Sequence, residues 1–358
     1  MVRRNAPCFT ECWLLKTNLL AWNGFNDMKL LIGYDGSKCA DDALDALKYA
    51  GLPRKAETTV LCIAEVSPLP PPSSYELVNR CLNPSEDLRD GQQEPVAPFG
   101  DWKAQTEKAA RLLASQAATR LQQAFKEWNV HDEFRFGSPA AQIIDKADDW
   151  LPDLIVLGSH GRSGIGRILL GSVSQRVLAD ARTSVRIARA RIKRAGVPPR
   201  IIIAVDGSAG ADRAVLAVAE RSWPGGTEVL LLAVTDPIHA TTIGRLLPPV
   251  GEVVDQYNEV ERASAERIVA SCAKRLANKS LTITTSVSSG DPRRVLCDET
   301  DRWAADSIFL GARGLGRFDR LLLGSVSSAV AAHAHCSVEV VRQAAIPKTP
   351  FSLHDAVS

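Results

Sequence analysis

One glycine-spaced stretch occurs twice in this 358-residue chain, and that repetition constrains the fold more than any other feature. The first copy runs from Gly158-Ser159-His160-Gly161 to Gly171-Ser172, the second from Gly311-Ala312-Arg313-Gly314 to Gly324-Ser325. Both read G-x2-G-x9-G-S. A short apolar run precedes each (Leu154 to Leu157; Ile308 to Leu310) and reads as a buried strand. A helical pattern follows each, with Ser172 or Ser325 as the expected N-cap. Strand, glycine-rich loop and helix N-terminus together can hold a phosphate. Glycine lets backbone N–H groups approach the oxyanions, and the first helical turn presents unpaired donors. Arg162, Arg167, Arg313, Arg317 and Arg320 can add guanidinium donors. A Walker loop is excluded, since neither copy carries Gly-Lys-Ser/Thr. A dinucleotide fingerprint is excluded as well, because it follows the first strand of its unit and this loop follows the fourth. The remaining alternative, a plain strand-to-helix turn, does not require the distant Gly-Ser pair.

The repeat extends upstream. Leu30 to Asp35-Gly36-Ser37 matches Ile201 to Asp206-Gly207-Ser208 at an offset of 171 (206 − 35), whereas the glycine loops are offset by 153 (311 − 158). The chain is therefore two homologous units of about 150 residues each. The first is 18 residues longer (171 − 153) between its opening strand and its loop. The expected division is an extra tail over 1–27, a first domain over 28–189, a basic linker over 190–199, a second domain over 200–342 and a C-terminal tail over 343–358. Met28 opens a strand with no lead-in, so it is the expected biological start. Within each unit, strands such as Val60 to Ala64 and Val229 to Ala233 alternate with helices, among them the long Trp102 to Trp128 and Val253 to Ala277. Alternating strands and helices with apolar strands predict an α/β fold, a parallel sheet covered on both faces. The Pro-rich stretch from Ser67 to Gly100 reads as an irregular excursion, either a lid or a passive insertion.

A net charge of +2 gives no overall reason to expect nucleic acid or membrane as partner, and no apolar run approaches the length of a membrane span. The eight cysteines form no C-x-x-C pair and no zinc spacing, so reduced thiols in a cytoplasm are expected.

The strand ending in Asp-Gly-Ser, joined to G-x2-G-x9-G-S, resembles the universal stress protein family in its tandem two-domain form. The resemblance covers about Lys29–Arg189 and Arg200–Arg342. It implies two Rossmann-like, doubly wound domains, each with a five-stranded parallel sheet, a nucleotide at the C-terminal strand edge, and a role in stress survival. The glycine motif is that family's ATP-binding signature, so ATP is the implied ligand, with magnesium available to its phosphates. Gly158, Gly161, Gly171 and Ser172 match the family's ribose and phosphate contacts, as do Gly311, Gly314, Gly324 and Ser325. Val173 and Ser174, or Val326 and Ser327, continue the helix N-terminus and add backbone or hydroxyl donors. Asp35 and Asp206 can accept hydrogen bonds from ribose hydroxyls or assist a phosphate-bound magnesium; the competing role is capping the next helix.

The family places an apolar residue at the end of strand two against the base. Ungapped alignment puts Val234 there in the second copy and Glu65 in the first, so unequal sites are expected. Asp319 standing where the first loop has Gly166 points the same way. The reading is a nucleotide-responsive binding module acting on a protein partner, with slow turnover of ATP or none. A slow ATPase or nucleotidyl-transfer enzyme on the same fold, and a scaffold holding a non-nucleotide anion, are the alternatives. The family commonly dimerises through its last strand, which a tandem chain can do within itself, with further homo-oligomers open to it. Arg186 and Glu339 hold the same repeat position (339 − 186 = 153), so they are expected to face one another as an exposed pair across that seam.

Overall fold

The computed structural model describes residues 27–65, 98–161, 170–189, 196–238, 248–277, 280–314 and 323–343. Arg162, Arg167, Arg317, Arg320, Gly166, Asp319, most of the Pro-rich excursion and most of the linker lie outside these. The first half runs β1 (Met28–Gly33), α1 (Lys38–Ala46), β2 (Ala56–Ala64), α2 (Pro98–Ala124), β3 (Asn129–Phe136), α3 (Pro139–Trp150), β4 (Leu154–Gly158), α4 (Ser172–Asp180) and β5 (Ser184–Ala188). The second runs β6 (Arg200–Ala204), α5 (Ala209–Ala219), β7 (Glu228–Thr235), α6 (Pro248–Leu276), β8 (Thr282–Ser289), α7 (Pro292–Arg302), β9 (Ser307–Gly311), α8 (Ser325–His333) and β10 (Ser337–Val341).

All ten strands form one sheet in the order β3-β2-β1-β4-β5-β10-β9-β6-β7-β8. Pairing is parallel within each half and antiparallel where β5 meets β10. The central strands are apolar on both faces because helices cover both. Leu31 and Ile202 enter one cluster, whereas Leu30 and Ile32, or Ile201 and Ile203, enter clusters on the opposite face. The first cluster runs through both halves, taking Val185 and Ile187 together with Val338 and Val340. The halves therefore share a core as well as a strand edge. In each half the strand order reverses between β1 and β4, or β6 and β9, which opens a crevice at the C-terminal strand ends.

Strand register corrects the alignment of the copies. Ile32 pairs with Val60 and Ile203 with Leu231, so the offset of 171 persists through β2 and β7 (231 − 60). Asn129 pairs with Glu57 and Thr282 with Glu228, where the offset has become 153 (282 − 129). The 18 extra residues therefore all lie between β2 and β3. The counterpart of Val234 is Ile63 (234 − 171), and that of Glu65 is Asp236 (236 − 65 = 171). The ungapped alignment was two residues out. A slip of two keeps every side chain on its own sheet face, so the apolar pattern could not reveal it.

Candidate functional site

The carboxylates that end the first strands reach the glycine loops. Asp206 Oδ1 accepts from the Ser208 N–H at 2.9 Å, and Asp35 Oδ1 from the Ser37 N–H at 2.9 Å. Helix capping falls to the serines, whose Oγ atoms accept from Ala40 and Ala211 N–H groups, each at 3.2 Å. The second oxygen of each aspartate abuts a loop glycine. A Cβ built on Gly161 would lie 2.9 Å from Asp35 Oδ2, and one on Gly314 2.5 Å from Asp206 Oδ2.

The other glycines divide by task. Gly158 and Gly311 allow the ends of β4 and β9 to touch the first helix of their half, α1 or α5. A Cβ on Gly158 would stand 2.9 Å from the Cys39 carbonyl, and one on Gly311 2.7 Å from Gly210 Cα. Packing alone accounts for them. Gly171 and Gly324 are the N-caps of α4 and α8, in place of the expected Ser172 and Ser325. Their N–H groups donate to Ser159 and Ala312 carbonyls, each at 2.8 Å. A Cβ on Gly324 would come 3.1 Å from the Ala312 oxygen, and one on Gly171 3.3 Å from His160 Cα. Among the described residues no side chain caps either helix, which leaves the first-turn N–H groups without a described side-chain acceptor.

Ser174 and Ser327 are buried, and their hydroxyls donate to the Gly158 and Gly311 carbonyls, each at 2.7 Å. Those protons tie helix to strand. The expected hydroxyl donation to a ligand is thereby taken up, leaving the backbone N–H groups.

In the second half these parts surround a cavity of about 560 Å³. It brings together every residue expected there: Asp206, Val234, Gly311, Gly314, Gly324, Ser325, Val326 and Ser327. Its apolar wall adds Ala204, Leu232, Leu296, Leu310 and Leu323, which the sequence did not place at the site, and Arg313 also lines it. A pocket of this size, mostly apolar with a few convergent polar groups, suits a nucleotide-sized molecule. In the first half Asp35, Gly158, Gly161, Gly171 and Ser174 repeat the same contacts. Ile63, Leu170 and Val173 pack on the shared cluster as Val234, Leu323 and Val326 do.

The loops differ in charge. His160 fills the Arg313 position, with Nδ1 3.1 Å from Ser159 Oγ and Nε2 buried without a partner among the described residues. Burial first, then the Arg189 charge, hold its pKa below the ordinary histidine value, so it is neutral at pH 7. No cluster of three metal-ligating side chains occurs among the described residues, and no described helix is long and apolar enough to cross a membrane.

The universal stress protein family model matches residues 28–189 and 199–342. A universal stress protein of Methanocaldococcus jannaschii is 33% identical over 181 residues, 48% of this chain and 88% of that one. One from Mycobacterium tuberculosis is 24% identical over 255 residues, 70% of this chain and 82% of that one. The crystal structure of a universal stress protein from Archaeoglobus fulgidus superposes with a TM-score of 0.56 at 22% identity, over 88% of this chain and 98% of that one, which shows a shared fold.

Proposed function

The chain belongs to the universal stress protein family, and from that premise we propose that it is an ATP-binding regulatory module with one site in each half. The observation that carries this reading is the second-half cavity, lined both by apolar side chains and by a glycine-capped helix N-terminus. Val234 and Leu232 would take the adenine, Asp206 the ribose hydroxyls, and the first turn of α8 with its loop the phosphates. Ile63, Asp35 and α4 would do the same in the first half. A magnesium ion would arrive on the phosphates and neutralise part of their charge.

Asp206 is the one carboxylate on the described cavity wall, which favours binding over phosphoryl transfer. Occupancy would change the surface offered to a protein partner. The five described cysteines are free thiols, which suits a reducing cytoplasm.

Calorimetric titration with ATP tests the reading. Two sites per chain are expected, with Gly171→Val removing the first and Gly324→Val the second, since each adds bulk where the backbone is crowded. Undiminished binding in the double variant would overturn it.

A further inference from the structure

Each half carries an arginine one residue beyond its last strand, Arg189 and Arg342, and the two are repeat equivalents (342 − 189 = 153). Neither guanidinium stays in its own half. Arg189 Nη2 donates to the Ala331 carbonyl at 2.7 Å and Nη1 to that of Cys336 at 3.4 Å, at the C-terminal end of α8. Arg342 Nη2 donates to the Leu178 carbonyl at 2.5 Å and Nη1 to that of Thr183 at 3.5 Å, at the C-terminal end of α4. The acceptors also correspond residue for residue (331 − 178 = 153; 336 − 183 = 153). The same crossed contact thus forms twice, from different surrounding residues.

The helices they reach are those whose N-termini, capped by Gly171 and Gly324, form the phosphate ends of the two sites. Each has nine residues, too short to hold its shape without tertiary support. The serine hydroxyl secures the N-terminal end of each. At the other end the last carbonyls lack intrahelical partners and carry the negative pole of the helix dipole, which a guanidinium satisfies in both respects. Each arginine also feels the glycine loop of its own half. Burial, then repulsion from Arg313, bring the Arg342 pKa down to about 10, so it remains a cation at neutral pH. Arg189 likewise acts on His160. One charge therefore stands between one site's loop and the other site's helix.

We propose that Arg189 and Arg342 are crossed positioning residues: Arg189, from the first half, seats the phosphate-binding helix of the second site, and Arg342 seats that of the first. This rests on the nucleotide reading above.

The test is ATP titration in two single-site backgrounds, Gly171→Val reporting the second site and Gly324→Val the first. Arg189→Met is expected to weaken the second site about tenfold and the first by less than about twofold, with Arg342→Met doing the reverse. Arg189→Lys and Arg342→Lys keep the charge and one donor, so each is expected to recover most of the loss, to within about threefold. A purely structural role would move both sites together and would not follow this charge series. Should a methionine variant fail to fold, its lysine counterpart decides, with a loss confined to the opposite half expected. Equal losses in both halves, a loss in the arginine's own half, or no loss would overturn the crossing. No ATP binding in either background would remove the nucleotide reading itself, and the crossing with it.

Discussion

At the scale of single residues, the proposed base pocket turns on Ile63 and Val234, which strand register makes equivalent. Both are branched aliphatics packed on the shared cluster. Glu65 is exposed and its equivalent is Asp236, so the expectation that a glutamate divides the two sites does not hold. An acid introduced beside a bound base would be desolvated without a counter-charge. Ile63→Asp should therefore weaken adenosine binding at the first site at least about tenfold. Glu65→Val should leave it within about twofold. Titration of adenosine in the Gly324→Val background checks both. An equal loss in the two variants would put the base elsewhere. The residues that the sequence made legible are those whose spacing repeats: Asp35 and Asp206, and the three glycines of each loop motif. Leu232 and Leu323 were not, because an apolar residue on a buried strand or beside a loop looks the same whether it faces core or cavity.

At the scale of elements, β3 is an edge strand of polar sequence, Asn129–Phe136, whose alternation is too weak for periodicity to mark its start. Helix starts were misread by one residue at α4 and α8 because serine is the commoner cap. Glycine takes the position where a side chain would crowd the loop. The edge strand is held to α3 by Glu133, which accepts from Lys146 Nζ at 2.5 Å and from Arg135 Nε at 2.7 Å. Burial alone would raise the Glu133 pKa, but the hydrogen bonds from Lys146 and Arg135 outweigh it and the net direction is down. A lowered carboxylate pKa contributes stability that is complete above the unfolded value, near 4.3, and is lost as pH falls through the folded value. Glu133→Gln should thus cost about 1 kcal/mol at pH 7. Urea midpoints of wild type and variant should converge below about pH 4. A difference that persists unchanged in acid would show that the charge is not what holds β3.

At the scale of the whole molecule, repeat arithmetic located the seam. Glu339 does lie opposite Arg186 where β10 meets β5, with Arg186 Nη1 3.2 Å from Glu339 Oε2. The expected exposure was wrong, since each side chain is only 1% accessible. The sequence could not show this because the cover comes from a loop of the other half. Arg221 stands where the first half has Ala50 (221 − 171), donates to the Ala50 carbonyl at 2.8 Å, and makes a second ion pair with Glu339. Arg186 Nη2 also donates to Ser307 Oγ at 2.7 Å, and both guanidiniums lie over the Phe309 ring. Two cations thus share one carboxylate in a buried seam. Two first halves brought together would bury paired arginines with no acid, whereas each second half carries Arg221 with its Glu339. The triad therefore disfavours pairing of two first halves and favours a first half against a second, beyond what strand edges alone would specify. Removing the acid strands both guanidiniums, so Glu339→Gln should lower stability by about 3–5 kcal/mol. Replacing the whole triad, with Arg186→Met, Arg221→Ala and Glu339→Met together, should leave stability within about 1 kcal/mol of wild type or raise it. That triple variant should also lose selectivity and form mixed assemblies between chains, because two first halves no longer repel. Urea denaturation and light scattering read the two effects separately. A triple variant that stays monomeric while Glu339→Gln is strongly destabilised would confine the triad to stability and deny it a part in partner choice.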